Sequence, residues 1–569
     1  MNVEDEPMLR QPEIADQIEH MEPLAVGDQR LERKIGWIQG AMVNVSYIIG
    51  AGIFVGPALT LQLVGSGGMN LIIWLIGALI ALSGTFTFME LGTMACILLQ
   101  AYNIQEQYST NAFLSFLAGI HLHNAYGKCN GINDVFSGGE VGYLEYCYRK
   151  PKYLLAYLFT YWSLMNRSSG VASQGIVFGG YLNYTIFGST YKSQWVERGW
   201  ALLSATILTT ANILSTKMTM KMITFLTVIK ISVLLLIACI GFLVLVKAIP
   251  SDVDAGLNLS FFGTSNTVGP YASALYYVMN SYSGWHNLNY IIDEVEDPIK
   301  NLPKASAAAL LTTATLYIFT NIAYLVVLPL DTMKSSEFIV AAAFFTRSLG
   351  QNFATKVLPV FIGLSSFGCA ASMNFTGGRV IMEVARQGLL PYGHVFGKVD
   401  TRVGSPVYAY LLQYVLSIVF IVGPPPGAVY QFIVAFAAYP VYVFYFLMAL
   451  AVLILRRREP NSNRPIRAPL VCVYVFLTFT AYALVFVFIP VKNQYYPYWL
   501  PYISAIFSMV ACTGFWYYQI VIKDTPSYSY NQSIRNQGQT AIENEVFGGY
   551  AAVPTHEVEP SRDRSVDRV

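Results

Sequence analysis

The sequence predicts an all-α integral membrane fold of twelve transmembrane helices, two of them broken near mid-depth. Three features carry this expectation. Apolar residues fill 54% of the 569 positions and charged residues 12%, against about 25% charged in an ordinary soluble domain. Apolar stretches of roughly 20 residues, the length that crosses about 30 Å of hydrocarbon, recur along the chain. Two of these stretches are interrupted midway by small, flexible residues: Ile-Gly-Ala-Gly at 49–52 and Asn-Ser-Tyr-Ser-Gly at 280–284. In a bilayer every backbone N–H and C=O must be paired, so such a break survives only where the freed groups line a cavity or hold a ligand.

In chain order the expected spans lie near 37–63, 70–95, 153–187, 199–215, 221–248, 268–292, 306–329, 355–378, 406–423, 428–455, 468–489 and 498–522. An even number of spans puts both tails on one side. Lys and Arg concentrate at that side, in clusters such as Arg30, Arg33 and Lys34, then Arg149, Lys150 and Lys152, then Arg456 to Arg458 with Arg464 and Arg467. The positive-inside rule then makes both termini cytoplasmic. The overall net charge of +2 says less than this placement. Residues 1–36 form a polar, acidic N-terminal tail without an apolar core, so no cleavable signal peptide is expected. Residues 37–523 form the membrane domain, and 524–569, rich in Ser, Asn, Gln, Glu and Arg, form a tail expected to be disordered. Asn258-Leu-Ser260 falls in an outer loop and fits a glycosylation acceptor. The seven cysteines are scattered without metal-ligand spacing and are expected to be reduced, with no metal site.

At the first break, Gly50 and Gly52 permit non-helical backbone and close approach of a ligand. Free amides at Gly50, Ala51 and Gly52 would open a half-helix whose N-terminal end attracts an anion; the same glycines would also suit tight helix packing. The second break exposes carbonyls between Asn280 and Gly284, at the negative end of another half-helix, where an ammonium is favoured. Opposed anion and cation sites at one depth describe a zwitterion, a free α-amino acid. Paired breaks of this kind point to a transporter's binding site. Tyr282 and Trp285 are large enough to cover such a ligand, or serve as ordinary interior aromatics.

Lys230 lies nine residues into the fifth span, some 13 Å deep at about 1.5 Å per residue, where it cannot easily snorkel. It is expected either to take up and release a proton during a cycle or to stand as a fixed cation against broken-helix carbonyls. Arg167 is also buried by its position and is expected to pair within a polar interior. The acidic run Asp293, Glu294, Glu296 and Asp297 reads as a gate or a solvated face. No nucleophile–base constellation, nucleotide loop or cofactor signature is present. Enzymes, ATP-driven pumps and nucleic-acid binders are thereby disfavoured.

Taken in order, Ile48-Ile-Gly-Ala-Gly-Ile-Phe54, Glu90-Leu-Gly92, Ser137-Gly-Gly-Glu140 with Tyr143-Leu-Glu145, Ser281-Tyr-Ser-Gly-Trp-His-Asn-Leu-Asn-Tyr290, Glu294-Val-Glu-Asp-Pro298, Asn301-Leu-Pro303 and Arg386-Gln-Gly-Leu-Leu-Pro391 resemble the amino acid–polyamine–organocation superfamily. Within it they are most similar to the L-type amino acid transporter group that includes fungal high-affinity methionine permeases. The resemblance implies two inverted five-helix repeats, with broken helices 1 and 6, plus two peripheral helices. It implies amides at Gly50, Ala51 and Gly52 for the substrate carboxylate, and carbonyls at Ile48, Asn280, Ser281 and Ser283 for the ammonium. It places Lys230 where sodium-coupled cousins hold their ion. Proton symport of neutral, methionine-like amino acids across the plasma membrane follows, with amino acid exchange without net proton movement and a transport-inactive nutrient sensor as rivals.

Three departures stand out. Animal L-type transporters carry a cysteine between spans 3 and 4 that joins a single-span glycoprotein; the corresponding loop 188–198 has none, so no disulfide-linked heavy chain is expected. His286 replaces the asparagine of many relatives and reads as a hydrogen-bonding substitute or a source of pH sensitivity. About forty residues at 95–136, with His121, His123 and Cys129, separate motifs that relatives hold close together. That insertion is either a retained intron or gene-model error, or a cytoplasmic excursion.

Overall fold

The computed structural model describes residues 34–108 and most of 139–522. The N-terminal tail before residue 34, residues 109–136 of the insertion and the C-terminal tail beyond 522 lie outside the described residues. Where described, the chain is built from helices: α1 (Trp37–Ile48), α2 (Gly52–Val64), α3 (Gly67–Tyr108), α4 (Glu140–Cys147), α5 (Leu154–Phe187), α6 (Gln194–Leu214), α7 (Thr216–Leu245), α8 (Val268–Ser281), α9 (Pro298–Val327), α10 (Val340–Leu349), α11 (Leu358–Arg386), α12 (Val407–Val422), α13 (Val429–Arg458), α14 (Leu470–Phe486) and α15 (Leu500–Trp516). A 3₁₀ segment, Asn287–Glu294, follows α8.

Among the described residues, six stretches are apolar and long enough to cross a bilayer, including Thr216–Leu245 and Pro298–Val327, and the bent pair of α1 and α2 makes a seventh. Three shorter helices, α10, α12 and α14, are also apolar. The helices α5 and α6 occupy two further expected spans but carry more polar residues, including the buried Arg167 and Arg198. The start of the insertion continues α3 as helix through Tyr108.

The broken elements sit in the middle of this assembly. Helix α1 packs on α7, α9 and α11, while α2 packs on α8 and α5 packs along α11. Polar ties hold the periphery. Glu90 of α3 is buried and accepts hydrogen bonds from Arg456 of α13 and from the Ala468 amide. Glu294 forms a buried ion pair with Arg379 of α11 at 2.8 Å, and its carbonyl accepts the amides of Lys34 and Ile35. The acidic run is thus divided: Glu294 is interior, whereas Glu296 and Asp297 are exposed.

The glycosylation reading of Asn258 is overturned. Its side chain is buried, and its amide nitrogen donates to the carbonyls of Leu325 and Leu328 at 2.7 and 2.8 Å. Those carbonyls belong to the C-terminal end of α9, where helix geometry leaves them without intrahelical donors. Asn258 therefore caps α9. Asn258→Ala should lower the stability of the purified protein by about 1–3 kcal/mol, read as a drop in melting temperature in detergent, and glycosidase treatment should remove no glycan from that position.

Candidate functional site

Helix α1 stops at Ile48 and α2 starts at Gly52, with a 47° bend between them. Ile49 is extended, at φ −78° and ψ 95°, which points its carbonyl away from the helical ladder. The amide of Gly50 turns back to donate to the Ile48 carbonyl at 3.0 Å. That tight turn uses one of the three amides expected to be free, leaving those of Ala51 and Gly52 at the head of α2.

The carbonyls of α1 and the break are met by donors from three other helices. On α7, Thr227 donates to Met42 at 3.3 Å, and Lys230 donates to Ser46 and Ile49, both at 2.7 Å, with the Ser46 hydroxyl at 3.4 Å. On α11, Ser372 donates to Val43 at 3.1 Å, the Cys369 thiol to Tyr47 at 3.0 Å and Ser365 to Gly50 at 3.4 Å. Lys230 is 1% exposed and stands midway along α7. Its ammonium occupies the negative end of α1, where helix dipole and oriented carbonyls favour a cation.

The second break begins after Ser281. Residues 282–286 form turns, and Gly284 has φ +108°. The two breaks touch. A side chain on Gly284 would overlap the ring of Tyr47, and a Cβ on Gly52 would come within 2.8 Å of Ser281 Oγ and 3.2 Å of its Cα. The hydroxyl of Tyr317, from α9, lies 3.1 Å from both the Ile48 and the Ser281 carbonyl oxygens and donates between them. Ile48, Gly52, Ser281 and Gly284 thus converge in one cluster beside Lys230. The Asn280 carbonyl accepts the Ser283 amide within a local turn at 3.2 Å.

Tyr282 and Trp285 are both buried. Tyr282 packs on Trp74 and Tyr317, with ring centroids 6.0 and 5.1 Å away. Trp285 packs edge-on against Phe88 and Phe476 at 4.9 and 5.5 Å, and its carbonyl accepts from Asn44 at 3.3 Å. The hydroxyls of Ser46 and Ser365 donate to the Gly368 and Gly50 carbonyls at 2.9 and 3.4 Å, and Phe367 packs on Phe178. A second polar group lies just beyond. Arg167 donates to Asn287 at 2.7 Å and to Thr376 at 3.0 Å, and its guanidinium lies 4.0 Å over the Tyr290 ring. Sequence reasoning misses Tyr317, Cys369 and Gln174, whose amide flanks Gly50; the one signal is a polar residue in the middle of an apolar span.

Chemically, the arrangement offers a partly positive helix end at Ala51 and Gly52 next to a group of partly negative carbonyls, with one fixed amine against them. That is the layout of a small-solute permease rather than of an enzyme. The amino acid permease family model matches residues 135–513, and the chain belongs to that family. It is a multi-pass membrane permease. It is 26% identical to the high-affinity methionine permease of Saccharomyces cerevisiae over 484 residues, 82% of this chain and 76% of that protein. It is 28% identical over 442 residues to the b(0,+)-type amino acid transporter 1 of Mus musculus (77% and 79% covered) and 27% identical over 462 residues to the Asc-type amino acid transporter 1 of the same species (81% and 77%).

The contact between Gly284 and Tyr47 makes a direct comparison possible. Gly263 also has positive φ, +81°, but a side chain there would come no nearer than 3.6 Å to a neighbour. Gly284→Ala should destabilise the purified protein by about 1–3 kcal/mol more than Gly263→Ala, the usual penalty of overpacking, measured by denaturation in detergent. Equal losses would show that the breaks do not press on each other.

Proposed function

We propose that the chain is a secondary active transporter that imports neutral L-amino acids, methionine-like ones first, across the plasma membrane by proton symport with alternating access. The observation that carries the reading is the ammonium of Lys230 on the Ser46 and Ile49 carbonyls. A cation there neutralises the negative end of α1, the place a coupling ion would fill. The similarity to a methionine permease supports the substrate class.

In this reading the domain from 37 to 523 has twelve spans arranged as two inverted five-helix repeats plus two peripheral helices, with α1 and α2 the counterpart of α8 and the segment after it. Both termini are cytoplasmic. The amides of Ala51 and Gly52, joined by that of Gly50 once it leaves Ile48, receive the substrate carboxylate. The carbonyls of Ile48, Asn280, Ser281 and Ser283 receive the ammonium, which displaces the Tyr317 hydroxyl from two of them. Gly284 lets the unwound stretch approach the ligand, and Tyr282 and Trp285 gate it. Lys230 couples transport to the proton. The chain works without a disulfide-linked heavy chain, because loop 188–198 offers no cysteine.

Uptake of labelled methionine into proteoliposomes should rise with an inward proton gradient and be unchanged when sodium is replaced by choline. Lys230→Ala and Lys230→Arg should both lose uphill accumulation, since Ala binds no proton and Arg keeps its charge at any physiological pH. Counterflow exchange should persist in at least one of them. Robust accumulation by Lys230→Arg would leave Lys230 a fixed structural cation, and a strict sodium requirement would overturn the coupling.

A further inference from the structure

One buried carboxylate has no role in the site described above. Glu140 opens α4 and is 1% exposed. Its Oε1 accepts the Tyr290 hydroxyl at 2.7 Å and lies 3.7 Å from His286 Nε2; its Oε2 has no hydrogen-bond partner among the described residues. His286 belongs to the unwound stretch after α8, directly following Trp285. Its ring is enclosed by Phe88, Trp285, Tyr290 and Tyr445, with the Tyr445 hydroxyl 3.2 Å from Nδ1.

The charged and titratable groups around this pair come from every neighbouring element. Arg167 of α5 lies over the Tyr290 ring, and its hydrogen bonds go to Asn287 and Thr376. Tyr290 comes from the 3₁₀ segment, Tyr445 from α13 and Tyr47 from α1, the last 5.4 Å from the Arg167 guanidinium. Helix α3 contributes the Phe88 ring, which carries no charge. Among the described residues, Glu140 therefore has a positive charge nearby but no permanent ion pair in contact, only an imidazole that is charged when it holds a second proton.

A bare carboxylate with one unpartnered oxygen is costly away from water. One added proton removes that cost in either of two ways: it sits on Oε2, or it sits on the imidazole and makes an imidazolium beside the carboxylate. Groups this close share protons as a unit. We propose that Glu140 and His286 form a proton-binding site that fastens the unwound stretch of α8 to α4 when loaded and releases it when empty. The proton comes from water on one side and returns to water; no other bond is made or broken. The consequence is mechanical. Residues 282–286 carry the second break; Trp285 within them and Asn287 just after them are anchored to α1 and α5, so the attachment of this stretch to α4 sets how freely the break moves. The site is separate from Lys230 and stands whether Lys230 switches or stays charged.

The first test needs no substrate. Melting temperatures of the purified full-length protein are measured from about pH 5 to 8, where an imidazole ordinarily titrates, for wild type, Glu140→Gln and His286→Asn. Gln keeps an acceptor for Tyr290 and Asn keeps a polar partner for Tyr445, but neither titrates. Part of the wild-type pH dependence should disappear in both variants. A wild-type profile in both would overturn the proposal, and if Glu140→Gln does not fold, an unchanged profile in His286→Asn overturns it alone. The second test is methionine counterflow: the pH midpoint of exchange should move by about one unit or more in His286→Asn and the dependence should flatten in Glu140→Gln. Melting profiles that lose their pH dependence while wild type moves no amino acid would refute the transport reading and leave the proton site intact.

Discussion

The structure depends on finding donors for the backbone carbonyls that a broken helix leaves in hydrocarbon. Each unpaired group there costs several kcal/mol, and the first break is viable because three helices supply donors to it. Lys230 comes from α7, Tyr317 from α9, and Ser365 and Cys369 from α11, while Thr227 and Ser372 add second donors to the Met42 and Val43 carbonyls within α1. This requirement accounts for α1 being surrounded by α7, α9 and α11, and for the small hydroxyl and thiol residues that recur on α11 at spacings near one helical turn. It also accounts for a lysine being tolerated at that depth: its ammonium replaces two carbonyls' lost partners at once.

The same constraint ties the two breaks together. Tyr317 stands between the Ile48 and Ser281 carbonyls, Gly52 lies against Ser281, and Gly284 lies under the Tyr47 ring. Neither break can change its backbone without disturbing the other. A ligand that bridges them, with its anionic end at α2 and its cationic end among the carbonyls, would act on one coupled element, as alternating access requires. Beyond the second break the polar interior continues through Arg167, Asn287 and Thr376 to the Arg379–Glu294 ion pair, so the unwound stretch is followed by a run of polar contacts.

Much of this is legible in the sequence, because a glycine pair or a Ser-Gly step weakens a helix just where the bilayer demands one, and a lysine at mid-span costs more still. The breaks fall where expected, and Lys230 is buried beside the first. What the sequence hides has a common cause. Serine, threonine and cysteine inside spans satisfy their own helix carbonyls or pack as small residues equally well, so nothing in their spacing announces Ser365, Cys369 or Ser372 as donors to α1. Tyr317 is one tyrosine among 39. Asn258 matches an acceptor pattern that depends on three residues, whereas its burial depends on the end of α9, some seventy residues away. The amide of Gly50 is free on the sequence pattern alone; the tight turn back to Ile48 is a local backbone geometry that composition does not encode.

The central claim is that the paired breaks bind a zwitterion through both of its charges. It is tested most directly by equilibrium binding to the purified protein of L-methionine, its methyl ester and its deaminated acid. Loss of a charge-assisted contact costs about 1.5–3 kcal/mol, or roughly 10- to 100-fold in affinity. The account predicts that each analogue binds weaker than methionine by at least the lower of these factors. If either analogue bound as tightly as methionine, one end of the proposed site would be wrong.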